Sequence, residues 1–123
     1  MVTIVNLDQA PRVSMGDRGE TIHLVSGETG AKSLDVHVNI LRAGGPDGRY
    51  HYHPESDNVY LVLEGTGRFV ADGTEYQLRA RDVVFIPAGV KHSLSARGDR
   101  ELVLLEIYSP IPAAFVPVDG DGR

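Results

Sequence analysis

Turn signals cut this chain into pieces too short for anything but strands. Fourteen glycines and seven prolines are spread over 123 residues, and the segments between them alternate with period two rather than 3.6. Between Ser33 and Leu41 the residues Leu34, Val36, Val38 and Ile40 fall on one face, and Asp35, His37 and Asn39 on the other. That pattern predicts a half-buried strand, with His37 on its polar face and read as facing solvent in preference to a role in a pocket. Asp72-Gly73 between Arg68 to Ala71 and Thr74 to Leu78 is a two-residue hairpin signal, because such turns need positive φ. Further strands are predicted at Val2 to Val5, Thr21 to Val25, Val59 to Glu64, Asp82 to Ile86, His92 to Ser95 and Glu101 to Tyr108, with Arg12 to Glu20 as a loop. Val62, Phe85, Ile86 and Leu104 read as wall or core. The tail opens Ser109-Pro110-Ile111-Pro112, and two prolines remove ladder donors, so it cannot form a central strand. No amphipathic helix exceeds a turn or two. An antiparallel sandwich or barrel follows, but periodicity does not choose among immunoglobulin-like, lipocalin-like and jelly-roll topologies.

Composition sets the outer limits. A chain of this length, 41% hydrophobic and 24% charged, suits a single domain over 1–123, with a core at about 20–110 and peripheral ends at 2–5 and 109–123. With no cysteine, thiolate metal sites, thiol catalysis and disulfides are excluded. A net charge of −5 without a Lys/Arg run argues against nucleic acid as a partner. No apolar stretch approaches the ~20 residues of a membrane span, and the first residues lack a secretory pattern, so a cytoplasmic location is expected. Apolar residues on both faces of Val59 to Leu63 and Leu102 to Ile107 exceed what one small barrel encloses. They predict a homodimer formed sheet against sheet.

Chemistry concentrates in two stretches. In Gly45 to Gly65, His51 and His53 alternate and so project from one face of a strand. In Asp82 to His92 an apolar run ends in Pro87-Ala88-Gly89 and a third histidine, His92. Two histidines on one strand and one on another can converge on a single metal, and neutral imidazoles suit Fe, Mn, Ni, Cu or Zn. His23 has no partner in sequence and reads as structural or exposed.

At these residues the chain resembles the cupin family. The first cupin motif, G-x5-H-x-H-x3–4-E-x6-G, reads here as Gly45, His51, His53, Asn58 and Gly65. The second, G-x5-P-x-G-x-x-H-x3-N, reads as Arg81, Pro87, Gly89, His92 and Ala96. Asn58 stands where the family has its metal-binding Glu, Arg81 replaces a Gly and Ala96 an Asn. The resemblance implies an all-β jelly-roll (double-stranded β-helix) barrel. It also implies one divalent transition metal on His51, His53, His92 and the amide oxygen of Asn58. Met1 to Val5 then either joins a partner subunit's sheet, as family dimers often arrange it, or pairs within its own chain.

The resemblance further implies a small-molecule ligand or substrate. An amide at Asn58 leaves the metal's full charge, which favours an anionic carbonyl- or enol-bearing substrate and Lewis-acid isomerisation, cyclisation or lyase chemistry. A three-His dioxygenase and a non-catalytic ligand-binding protein are the alternatives, and a storage role ranks last. Tyr60 shares the side of Asn58, either as a catalytic pocket residue or as a packed aromatic. Glu106 and Tyr108 alternate on the last strand, with parity that sequence leaves ambiguous.

Overall fold

The computed structural model describes residues 1–120; of the C-terminal tail, 121–123 lie outside the described residues. Eleven strands form in order: β1 (Arg12–Ser14), β2 (Gly19–Val25), β3 (Asp35–Leu41), β4 (His51–Tyr52), β5 (Asp57–Glu64), β6 (Thr66–Ala71), β7 (Thr74–Arg79), β8 (Val83–Ile86), β9 (His92–Arg97), β10 (Leu102–Ser109) and β11 (Val116–Pro117). Single 3₁₀ turns at Gly16–Arg18 and Gly27–Thr29 are the only helical pieces among the described residues. No helix there is long and apolar enough to cross a membrane.

Two antiparallel sheets result, ordered β1-β2-β3-β10-β5-β8 and β11-β4-β9-β6-β7. Their pairing is nested: β6 pairs with β7, β5 with β8, β4 with β9 and β3 with β10. A long hairpin folded over itself gives this order, which is the jelly-roll solution to closing a small all-β core. The innermost turn is the predicted one, with φ of 47° at Asp72 and 81° at Gly73, a primed turn whose twist suits a tight hairpin. Between the sheets Tyr60, Val62, Phe69, Leu78, Ile86, Leu94, Leu102 and Leu104 form the buried core.

Four expectations need correction. Residues 2–5 form no strand, and Val2 and Ile4 are almost fully exposed. Within the expected 12–20 loop lies β1, paired to β2. Phe85 is 61% exposed rather than core, because it alternates with inward Val84 and Ile86 and so faces out. Most consequential, β3 is turned over: His37 is only 7% exposed, and Asp35, His37, Asn39 and Leu41 line an internal cavity. The opposite face carries Val36, Val38 and Ile40, of which Val38 is itself buried at 1% exposure. Alternation fixes which residues share a face but not which face is inside, and here β3 faces a cavity with polar side chains on one wall.

Candidate metal centre

The two histidine-bearing stretches are locked together by backbone. β4 and β9 place His51 directly opposite His92. Gly89 N–H donates to the His53 carbonyl at 2.8 Å, and Ala88 N–H donates to Asp57 Oδ1 at 3.1 Å. The Pro87-Ala88-Gly89 turn, with φ of 84° at Gly89, therefore grips the segment from His53 to Asp57 that follows β4.

All three rings are held by the same device. Nδ1 lies 2.7 Å from the Arg49 carbonyl in His51, 2.8 Å from the Ala114 carbonyl in His53 and 2.8 Å from the Val90 carbonyl in His92. A carbonyl can only accept, so each Nδ1 carries a proton, and in the neutral ring the lone pair then lies on Nε2. One ligand nitrogen from each ring lies within 4.8 Å of the other two. Nε2 of His53 and of His92 is buried without a hydrogen-bond partner, as is Oδ1 of Asn58. Such orphans are rare in folded proteins, and three basic nitrogens aimed at one point fit a cation. Burial first, then the neighbouring imidazoles, push His51 down to about 4 and also lower His92, so both rings are neutral and ready to ligate.

The sequence-predicted residues divide as follows. His51, His53 and His92 come together. Asn58 is completely buried, and its Nδ2 donates to the Ile107 carbonyl at 3.0 Å, which leaves its carbonyl oxygen free. Tyr60 lines the cavity next to His92, ring centroids 6.4 Å apart. Its hydroxyl is raised well above the ordinary value by burial, then by Glu106, so it stays protonated. His23 lies at the exposed rim of the same cavity.

Periodicity alone did not mark the charged wall of this cavity, which encloses about 340 Å³. His37 Nδ1 is 2.7 Å from Asp35 Oδ1 and its Nε2 is 2.7 Å from Glu106 Oε1. Asn39 Nδ2 adds a bond of 2.9 Å to the same Glu106 oxygen. With a carboxylate at each nitrogen, both contacts are hydrogen bonds only if the ring is an imidazolium. Burial lowers the pKa of His37, but the two carboxylates outweigh it and the net shift is upward. Burial correspondingly opposes the ionisation of Glu106, yet its bond to His37 holds it below the ordinary carboxylate range. The C-terminal segment was equally inconspicuous: Phe115 stacks on His51 and, like it, lines the cavity.

Comparison with known proteins converges on the same architecture. The family model described as "Cupin domain" matches residues 37–108. The oxalate-binding protein of Thermotoga maritima is 28% identical over 75% of this chain and 78% of its own. The polyketide synthase CurC of Streptomyces cyaneus is 33% identical over 67% of this chain, but the match spans only 53% of CurC. Among solved structures, the polyketide cyclase RemF of Streptomyces resistomycificus superposes with a TM-score of 0.81 at 18% identity, covering 99% of this chain and 90% of that one. With nested strand pairing, both histidine motifs and a family match over more than half its length, the chain belongs to the cupin family.

Proposed function

We propose that this cupin is a metal-dependent enzyme acting on a small anion that carries a carbonyl or enol, by isomerisation, cyclisation or lyase chemistry. The observation that carries the reading is the convergence of three lone-pair nitrogens, two of them buried without a partner, beside a cavity that also holds an ionised, buried carboxylate. His51, His53 and His92 would hold one divalent transition metal, with the neutral Asn58 oxygen as fourth donor. A dication there supplies Lewis acidity towards a substrate oxygen.

The protein's own groups supply the rest. Glu106 is the base that a carboxylate at position 58 would otherwise have been, and it stands one strand away, on β10. Anchoring by His37 and Asn39 fixes its position against the substrate, as general-base catalysis requires. The Tyr60 hydroxyl donates to developing negative charge on the substrate. A second reading, ligand binding without turnover, is favoured by the relative named as oxalate-binding.

The test is to assay protein reconstituted separately with Zn, Mn, Fe, Ni and Cu against a diketone, an enol and a uronate. Turnover that falls about 100-fold or more in Glu106→Gln, with metal content unchanged, supports the enzyme. Saturable binding of such compounds without turnover under any metal supports the binding protein instead.

A further inference from the structure

We infer that Arg18 is the anion-reading residue of this cavity, and that the ligand is a carboxylic acid with a second oxygen function able to reach the imidazoles. The inference rests on reading the cavity as a ligand site. It adds which group is recognised and by which residue.

Arg18 ends the 3₁₀ turn Gly16–Arg18, and its carbonyl accepts from Arg42 N–H at 2.7 Å, which fixes the backbone at the cavity wall. The half-buried side chain lines the same cavity as His51, Tyr60 and Glu106. Its Nη2 donates to the Leu94 carbonyl at 3.2 Å. Gly48 makes this seat possible: a Cβ there would lie 3.0 Å from Arg18 Nη2 and would collide with the Leu94 carbonyl oxygen. The positive charge is felt at Tyr60, whose hydroxyl it partly stabilises as an anion, so the guanidinium sits near the chemistry.

Two arginines without an ion-pair partner line this cavity, Arg18 and Arg49; Arg49 is exposed, whereas Arg18 is half-buried and seated on the Leu94 carbonyl. Among the described residues Arg12 pairs with Glu20, Arg68 with Glu75 and Arg97 with Asp47, while no carboxylate lies within ion-pair distance of Arg18. The two acids in the cavity, Asp35 and Glu106, are committed to His37 and Asn39. A guanidinium offers five donors in a planar fork, and a single carbonyl leaves most of them free. A planar carboxylate matches that fork in bidentate fashion. The two fixed carboxylates argue for a singly charged anion over a phosphate dianion, because each added charge must approach them.

Calorimetric titration of the full chain, both chelator-treated and zinc-loaded, tests this with two matched pairs: acetoacetate against its methyl ester, and galacturonate against its methyl ester. Inorganic phosphate is the third probe. At least one acid should bind about tenfold or more tighter than its ester. Arg18→Met should erase the difference and Arg18→Lys retain part of it, both with wild-type zinc content. No acid preference in the wild type, a preference that survives Arg18→Met, or phosphate binding tighter than either acid would overturn the assignment. Acid preference in protein that never holds zinc would leave Arg18 in place and remove the metal reading instead.

Discussion

Phe115 lies stacked on His51, with ring centroids 4.2 Å apart and planes inclined by 19°. One residue earlier the Ala114 carbonyl fixes Nδ1 of His53, so a segment outside both cupin motifs orients two of the three imidazoles. Groups that orient metal ligands typically matter 10- to 100-fold in affinity. Because Phe115 is half exposed, its share should be at the low end. Phe115→Ala is expected to weaken zinc binding by about tenfold, measured by competition with a chelating dye. The melting temperature of the metal-free protein should stay nearly constant, and an unchanged zinc affinity would contradict the orienting role.

The His37–Glu106 pair predicts a specific pH dependence. The folded pKa of His37 is raised above 6.5, so its contribution is complete below about pH 6.5 and fades as pH rises through the folded value. Glu106 is lowered from 4.5, so its contribution is complete above about pH 4.5 and fades as pH falls through its own folded value. Urea unfolding of metal-free wild type and His37→Asn should therefore differ most between these limits, by about 3 kcal/mol. The difference should shrink as pH rises through the folded value of His37. A constant difference from pH 5 to 9 would mean that His37 is not charged in the folded protein.

How much of this was legible in the sequence depends on the residue. The histidine triad was readable because spacing on a strand and across a turn translates directly into position, as His51 opposite His92 demonstrates. The central strands were readable for the same reason, down to the Asp72-Gly73 turn, whereas the N-terminal region was misread at residues 2–5 and at β1. Sidedness was not readable. Asp35, His37 and Asn39 were correctly grouped on one face and wrongly sent to solvent, since an inward cavity with polar side chains on one wall inverts the usual rule that apolar faces turn inward. Arg18 and Phe115 were missed because each reaches the cavity from a segment with no period or motif, placed there by tertiary packing alone.

Arg81 occupies a left-handed backbone position, φ 79°, where the cupin motif has glycine. A non-glycine side chain is disfavoured there by roughly 1–2 kcal/mol. Glycine loses more freedom on folding, which offsets part of that. Arg81→Gly should stabilise the protein by about 0.5–1 kcal/mol in urea unfolding, with zinc affinity unchanged. Destabilisation would mean that the arginine side chain makes compensating contacts.

The outer face of the larger sheet carries the half-buried residues Val36 and Ile40 on β3, Val59 and Leu61 on β5, and Leu105 and Ile107 on β10, with Val38 already covered within the chain. It continues to Val83 and Phe85 on β8, 66% and 61% exposed. An apolar surface this continuous is expected to be covered by a second copy. Light scattering at micromolar concentration should give twice the chain mass, and Val83→Lys with Phe85→Lys should shift it towards the monomer. A monomer mass for the wild type would refute the dimer.

The enzymatic reading turns on whether the three imidazoles hold a metal. Elemental analysis of protein purified without chelator, and again after reconstitution, measures this directly. The account predicts about one divalent transition metal per chain, retained at neutral pH, released on acidification as the imidazoles protonate, and absent when His51, His53 and His92 are all replaced by alanine. Wild-type protein that stays metal-free after reconstitution, or a triple variant that binds metal equally well, would contradict it.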